Sequence, residues 1–189
     1  MLLRNSLLAL SLVLTAASAQ EFKVGGKIAD FNLQDPAGKD VTFHQLKGDL
    51  TVVTFVSVQC PISNDYNERM KAIYRDYQGK VNFLFVNSNH TEPVPAIAEH
   101  AKQVGFGFPV YKDVGNVVAD RFGATVTPES YVIDKAGNIV YHGSIDDQRN
   151  PARVTSPRLR NALDALKAGQ PITQAETKAF GCTIKRKRS

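Results

Sequence analysis

Blocks of consecutive apolar residues alternate along this chain with segments in which apolar residues recur every three or four positions. The block at residues 50–58 is rich in β-branched side chains and has the length of a buried strand. It ends at Cys60-Pro61, and residues 64–78 then predict a helix, because their apolar side chains fall on one face. The pattern therefore places Cys60 where a buried strand passes into the N-terminus of a helix.

This position indicates a reactive thiol. The unpaired backbone N–H groups and the positive end of the dipole at a helix N-terminus favour an anion. Thiols in such places have a lowered pKa and act as nucleophiles near neutral pH. The alternative is that Cys60 is a small buried hydrophobic residue without a chemical role. We favour the reactive thiol.

The rest of the chain continues the alternation of strands and helices. A Pro- and Gly-containing turn at residues 35–39 separates the apolar segments 31–33 and 41–43 and predicts a hairpin. Residues 81–86 predict a second buried strand, followed by the polar segment 87–91 at the end where open α/β sheets commonly bind ligands. The remaining predicted elements are a helix at 93–105, an extended piece at 108–111, a helix at 114–122 with Val114, Val117, Val118 and Phe122 inward, a hairpin at 130–133 and 139–141, and a helix at 157–169 capped by Ser156. This order predicts an α/β sandwich with a mixed central sheet.

The N-terminus has the pattern of a secretory signal peptide. Arg4 gives a positive start, residues 7–14 form an apolar core, and Ala-Ser-Ala at 17–19 matches a cleavage site. The apolar core is too short to span a bilayer, so we expect an exported protein without a stable membrane anchor. The predicted organisation is a signal peptide at 1–19, one domain at 20–169 and a C-terminal tail at 170–189.

The charge excess is small and lies mostly at the C-terminus. The full chain carries +5, and subtracting Arg4 leaves +4 for the mature chain, much of it in the basic run at 185–188. Such a terminal run is typically a solvated tail, and we expect no nucleic-acid partner. The mature chain keeps both cysteines, Cys60 and Cys182, and two cysteines in an oxidising compartment permit one intramolecular pairing.

Three motifs follow one another between residues 24 and 169. They are the strand ending in Cys-Pro-x-x before a helix, Gly-Ala-Thr-Val-Thr-Pro at 123–128 before a strand, and Tyr-Val-Ile-Asp-Lys-Ala-Gly-Asn-Ile at 131–139. In this order they resemble the thioredoxin superfamily, in its redoxin or peroxiredoxin-like (AhpC/TSA-type) branch. The resemblance implies a three-layer α/β sandwich with an N-terminal hairpin. It also implies that Thr127-Pro128 is a cis-proline turn facing Cys60.

Departures from the superfamily patterns separate its possible chemistries. Thioredoxin-type reductases carry a second cysteine where this chain has Ser63, whose hydroxyl either donates a hydrogen bond to the Cys60 thiolate or has no role. The buried acid often found six residues before the cysteine is replaced by Thr54. Ser57 fits the peroxiredoxin pattern, but Pro128 occupies the place of the catalytic arginine. We therefore rank disulfide exchange above peroxide reduction.

The role of Cys182 is open among three interpretations. Phe-Gly-Cys-Thr-Ile-Lys at 180–185 is similar to the ending of redoxins in this branch, which implies a resolving thiol that closes a bridge with Cys60. About twelve residues separate Gly169 from Cys182, and an extended chain of that length spans most of a small domain. The alternatives are a structural disulfide that fastens the tail, and pairing of Cys182 with another molecule.

The sequence thus predicts an exported thiol–disulfide oxidoreductase. Its site residues are expected to be Cys60, Cys182, Ser63, Thr127 and Pro128. The expected partners are protein thiols or disulfides and an exported thiol reductant or oxidant, and no cofactor is expected.

Two other functions stay open. One is a peroxiredoxin-like peroxidase, for which Arg149 or Arg153 would have to fold back and supply the missing cation. The other is a non-catalytic or copper-handling redoxin with a structural bridge, in which His90 would have to meet both cysteines. His90 is the only histidine that we place at the edge of the site. The others are interpreted as ordinary surface or hairpin residues.

Overall fold

The protein is described by a computed structural model that covers residues 23–187. The predicted signal peptide at residues 1–19 lies outside the described residues. Within residues 23–187, the structure contains no helix that is both long and apolar enough to cross a membrane.

A seven-stranded mixed sheet forms the middle layer. In chain order, the strands of the structure are β1 Asn32–Gln34, β2 Asp40–Thr42, β3 Leu50–Val56, β4 Asn82–Asn87, β5 Val110–Lys112, β6 Val126–Thr127, β7 Glu129–Asp134, β8 Ile139–Gly143 and β9 Cys182–Thr183. The central sheet has the spatial order β2-β1-β5-β4-β3-β7-β8, and β6 and β9 form a separate two-stranded sheet. β4 is parallel to β3 and β5, whereas β7 is antiparallel to β3 and β8. The predicted hairpins and the mixed sheet are confirmed.

Helices cover both faces of this sheet. They are α1 Phe43–Leu46, α2 Pro61–Asp65, α3 Asn67–Tyr77, α4 Val94–Gln103, α5 Val117–Phe122 and α6 Arg158–Lys167, with 3-10 turns at Val114–Asn116 and Pro151–Arg153. Side chains of α3, α4 and α6 share one apolar cluster with Val52, and side chains of α1 and α5 share a second cluster with Val53. Because successive residues of a strand point to opposite faces, β3 supplies both clusters. The result is the predicted three-layer sandwich.

The third predicted helix differs from the structure. A continuous helix at 114–122 would turn Val114 and Val117 inward, but each is 56% exposed. Gly115 and Asn116 have φ angles of 76° and 64°, so the chain turns there and α5 begins only at Val117. The carboxylate of Asp113 accepts hydrogen bonds from the N–H groups of the first turn of α5. The two left-handed residues shift the helical phase, and the prediction for both valines is wrong.

Two helix boundaries also differ from prediction. The helix expected at 64–78 begins at Pro61 and is divided at Tyr66 into α2 and α3. The last helix is expected from the sequence to be capped by Ser156. It starts at Arg158 after Pro157, without a side-chain cap, and Ser156 contributes only its carbonyl, which accepts from the Arg158 N–H.

The C-terminal tail returns across the domain. The N–H of His142 in β8 donates to the carbonyl of Ala175, and the N–H of Thr177 donates to the carbonyl of His142, both at 2.9 Å. Further along, β9 pairs antiparallel with β6, so that Cys182 lies opposite Thr127. The basic run is less free than predicted, because Arg186 forms an ion pair with Asp120 at 2.6 Å.

Candidate active site

Cys60 is the N-cap residue of α2. The N–H of Ser63 donates to the Cys60 Sγ at 3.2 Å, and Pro61 occupies the first helical position, where a missing N–H has no cost. Cys60 is only 3% exposed. The predicted position at a strand-to-helix junction is confirmed, and the helix begins closer to the sulfur than the sequence indicated.

The structure joins Cys60 and Cys182 in a disulfide. Their Cα atoms are 5.7 Å apart, although 122 positions separate them in the sequence. The tail reaches Cys60 because it crosses β8 and then pairs with β6. The one intramolecular pairing that two cysteines permit is the one found.

The segment that faces the sulfur atoms is β6 and the proline after it. The Thr127–Pro128 peptide bond is cis, as the resemblance implied. The carbonyl oxygen of Thr127 lies 3.4 Å from the Cys60 Sγ. Gly181 packs against the same carbonyl, so closely that a Cβ atom there would lie 1.9 Å from the oxygen. Thr127 and Pro128 therefore lie beside both cysteines. The Oγ1 atom of Thr127 is buried and has no hydrogen-bond partner among the described residues.

Ser63 approaches Cys60 through its backbone. Its N–H contacts the sulfur, while its hydroxyl accepts a hydrogen bond from the N–H of Ser57 at 3.1 Å. Ser57 in turn accepts from the Cys60 N–H through its own hydroxyl at 3.1 Å. These bonds tie the loop at residues 57–59 to the first turn of α2.

A buried carboxylate that the sequence analysis missed fixes the same loop. Glu92 is 1% exposed and accepts hydrogen bonds from the Ser57 hydroxyl at 2.7 Å and from the N–H groups of Val58 and Gln59 at 2.9 Å. The side-chain amide of Asn87 donates to Oε2, the oxygen that also accepts from the Val58 N–H. Burial alone would raise the pKa of Glu92, but these hydrogen bonds outweigh burial and hold its pKa below the usual value. Glu92 is thus a charged anchor for the loop that carries Cys60.

The sequence contained part of this signal. It indicated the polar segment 87–91 after β4 as a place where ligands gather, and Glu92 is the next residue. What it did not show is that the segment faces the loop after β3.

A second buried carboxylate, Glu129, fixes β6. It accepts from the N–H groups of Thr125 and Val126 at 2.8 and 3.1 Å, and His142 Nε2 lies 2.6 Å from its other oxygen. Burial pushes the pKa of Glu129 up, but the hydrogen bonds from His142 and the backbone bring it below the usual value. From the sequence, His142 is expected to be an ordinary surface or hairpin residue. It instead stacks on Tyr131, binds Glu129 and pairs with the tail.

His90 lies at the edge of the site, where it holds the tail. Its N–H donates to the Lys185 carbonyl at 2.9 Å, and its Nδ1 is 3.2 Å from the same oxygen. The neighbouring Asn89 side chain accepts from the Lys185 N–H at 2.6 Å. Within the part of the chain that the structure describes, no three His, Cys, Asp or Glu side chains are grouped to hold a metal ion.

The arginines considered for peroxide chemistry have other contacts. Arg149 forms an ion pair with Asp65, and its carbonyl accepts from Arg69 at 2.6 Å. Arg153 lies in the exposed 3-10 turn. These contacts give no support to a cation at Cys60, and the ranking of disulfide exchange above peroxide reduction stands.

Comparison with known proteins places this fold and site in a family. The model of the AhpC/TSA family matches residues 24–142, more than half of the chain. The chain belongs to the AhpC/TSA family. A curated relative of this AhpC/TSA protein, thiol-disulfide oxidoreductase ResA of Halalkalibacterium halodurans, is 27% identical over 119 residues. That alignment covers 62% of this chain and 66% of the relative, just under two thirds of its length.

Solved structures match a larger share of the chain than the curated relative does. A hypothetical protein of Sinorhizobium meliloti 1021 superposes with a TM-score of 0.82 and 31% identity, over 90% of this chain and 98% of that one. Peroxidoxin BcpB of Mycobacterium tuberculosis shares the fold with a TM-score of 0.58 and 22% identity, over 78% of this chain and 98% of its own. The AhpC/TSA chain therefore has the thioredoxin-like α/β sandwich that its sequence predicted.

Proposed function

We propose that this AhpC/TSA protein is an exported thiol–disulfide oxidoreductase in which Cys60 is the nucleophile and Cys182 the resolving thiol. The observation that carries the proposal is the disulfide between a helix-capping cysteine and a tail cysteine. The name of the curated relatives, thiol-disulfide oxidoreductase, supports the class of reaction. The signal-peptide pattern at residues 1–19 and the disulfide support export.

The reaction begins with the reduced protein. The N-terminus of α2 and the N–H of Ser63 stabilise the Cys60 thiolate. This thiolate attacks one sulfur of a substrate disulfide, and the other substrate sulfur leaves as a thiolate that takes up a proton. A mixed disulfide between Cys60 and the substrate remains.

Cys182 completes the exchange. Its thiolate attacks the Cys60 sulfur, the disulfide seen in the structure forms, and the second substrate thiol is released. Two electrons have then passed from the two cysteines to the substrate, and an exported dithiol reductant restores the pair. The same steps in reverse oxidise a substrate dithiol, so an exported oxidant would serve that direction.

The other predicted site residues surround this exchange. The Thr127 carbonyl lies against the Cys60 sulfur, and Pro128 ends the strand on which the tail lies. We assign Thr127 and Pro128 to substrate docking and Ser63 to stabilisation of the thiolate. Cys60→Ser would remove the attack on the substrate disulfide, and Cys182→Ser would remove the step that resolves the mixed disulfide.

The deciding experiment is a redox titration of the mature protein in glutathione buffers, followed by intact mass and peptide mapping. A Cys60–Cys182 bridge with a potential above about −300 mV is the expected result for a working redox pair. A bridge with a reduction potential below about −300 mV would be a structural disulfide, and the proposed function would be withdrawn. Cys182→Ser is the control, because it can acquire only a glutathione adduct at Cys60.

A further inference from the structure

The tail occupies the surface that a substrate of the proposed reaction must reach. β9 pairs with β6 and places Cys182 opposite Thr127, with its sulfur bonded to Cys60. A substrate in a mixed disulfide with Cys60 must place its own cysteine where Cys182 now lies. The contacts of the tail therefore indicate what a bound partner looks like.

Backbone groups hold the tail as an extended strand. Besides the β6 pairing, the N–H of Ile184 donates to the Thr125 carbonyl at 2.9 Å. The N–H of Lys185 donates to Asn89, and its carbonyl accepts from His90. Main-chain bonds of this kind bind an extended segment of any sequence, so they supply affinity without selectivity.

Side chains on either side of the cysteine supply the selectivity. Gly181 admits no larger residue, because a Cβ atom there would lie 1.9 Å from the backbone oxygen of Thr127. Ile184 is 2% exposed and belongs to the apolar cluster of α1 and α5. Thr183 is exposed and makes no such demand. The position before the cysteine thus requires glycine, and the second position after it requires a large aliphatic side chain.

The surface also has a preference for positive charge. Arg186 donates to the Asp120 carboxylate at 2.6 Å and to the Ala124 carbonyl at 2.8 Å. A basic residue four positions after the cysteine satisfies both acceptors. An acidic residue there would face Asp120 and be repelled.

We propose, on the basis of the proposed function, that this surface selects partner proteins with an exposed Gly-Cys-x-aliphatic-x-basic segment. The surface consists of β6, Asn89, His90 and Asp120. When a partner segment binds, it displaces the tail from β6, and the partner cysteine replaces Cys182 as the neighbour of Cys60. The tail thus has the same residue pattern as the partner segment and binds the same surface.

The test uses the full-length Cys182→Ser variant and peptides with the sequence of residues 179–186. Each peptide carries thionitrobenzoate on its cysteine. The Cys60 thiolate attacks the peptide sulfur, a Cys60–peptide disulfide forms, and thionitrobenzoate leaves and is followed by its absorbance. The parent peptide is expected to react about tenfold faster than peptides with Gly181→Ala or Ile184→Ser, since each change removes a buried fit. Arg186→Glu is expected to slow the reaction roughly two- to fivefold.

Competition with the tail gives a second test. Adding Ile184→Ser to the protein itself weakens the tail, so the parent peptide should react several times faster. Arg186→Gln is a milder second variant, expected to act in the same direction if Ile184→Ser does not fold. The glutathione–thionitrobenzoate disulfide is the control. It must also reach Cys60, but it makes no contacts with the β6 surface, so its rate should rise less than that of the peptide.

The outcomes separate this proposal from the proposed function. Equal rates for all peptides, with normal reaction of the glutathione probe, would overturn the selection of partners and leave the oxidoreductase standing. Failure of Cys60 to react with any probe would overturn the oxidoreductase itself. An unchanged peptide rate in both tail variants would show that the tail and the peptide do not share a surface.

Discussion

The two cysteines of one disulfide lie in opposite surroundings. Cys60 is buried at the junction between β3 and α2. Hydrogen bonds made by Ser57, Ser63 and Glu92 fix this junction. Cys182 is partly exposed on a strand of two residues. Backbone pairing, the buried side chain of Ile184 and an exposed ion pair hold this strand in place. Hydrogen bonds to a buried charge are stronger than those near solvent, because water does not compete for them. The comparison suggests a fixed nucleophile and a detachable second thiol.

Removing each cysteine in turn should give the largest difference. Cys60→Ser is expected to lose disulfide exchange entirely. Cys182→Ser is expected to keep the first attack and to accumulate mixed disulfides, because nothing remains to resolve them. Intact mass after incubation with oxidised glutathione measures both. The assignment of Cys60 as the nucleophile would be reversed if Cys60→Ser formed a glutathione adduct on Cys182 and this adduct turned over as fast as in the wild type.

Glu92→Gln tests whether the Cys60 side is the rigid one. The amide keeps the size of the side chain but replaces one of its two accepting oxygens with an NH2 group, so the N–H of either Val58 or Gln59 then faces a donor. We expect a loss of about 3 kcal/mol in the free energy of unfolding, measured with urea. Glu99→Gln is the matched control, since Glu99 is exposed on α4 and should cost little. Equal effects of the two changes would mean that the loop does not depend on Glu92.

The same variant should change the pH dependence of stability. The pKa of Glu92 is lower in the folded protein than its ordinary value of 4.5. The unfolded chain therefore takes up the proton first as the pH falls, so the stabilisation by Glu92 is present above pH 4.5 and is lost below it. Glu92→Gln should flatten this part of the curve. A parallel acid loss in both proteins would exclude Glu92 as its source.

Gly181→Ala acts on the Cys182 side. The new methyl group would meet the Thr127 carbonyl, so β9 must shift away from β6 at a cost of about 2 kcal/mol. The fraction of bridged protein at a fixed glutathione ratio should fall, while the reaction of Cys60 with small disulfides continues. Gly107→Ala is the control, because its Cβ would meet no atom within 4 Å. Unchanged bridge formation in Gly181→Ala would mean that the tail approaches Cys60 along another path.

The smallest effect is expected at the end of the tail. Arg186 and Asp120 form an ion pair with side-chain exposures of 37% and 57%, so Arg186→Gln should lower the unfolding free energy by less than about 1 kcal/mol. Added salt should reduce the difference further. A loss as large as that of Glu92→Gln would show that both sides of the disulfide are equally fixed.

Local sequence patterns predicted the junction that carries Cys60 but not the contacts that fix it. The apolar periodicity around Cys60 predicts the strand, the helix and the thiol at their junction, because each depends on neighbours in sequence. The role of Glu92 depends on how the segment after β4 lies against the loop after β3, 35 residues away from Ser57. Periodicity carries no information on such a contact.

The wrong prediction for Val114 and Val117 has a similar cause. Asn116 adopts a left-handed conformation that non-glycine residues rarely favour, and its side chain donates to the Ser88 carbonyl on another segment. A tertiary contact thus accompanies the local turn that shifts the helix. The cis peptide bond before Pro128, in contrast, was predicted from a motif rather than from periodicity.

Residues 175–177 of the tail cover part of one edge of the central sheet. β8 is one of the two outermost strands of the central sheet, and a bare strand edge pairs readily with the edge of another molecule. The N–H and carbonyl of His142 are both taken by the tail, and Thr177 lies so close to Gly143 that a Cβ atom there would be 1.9 Å from its hydroxyl oxygen. Cutting the chain after Gly169 would remove Cys182 and also bare this edge, so we expect the shortened protein to aggregate more readily. We therefore expect the tail to contribute to solubility as well as to carry Cys182.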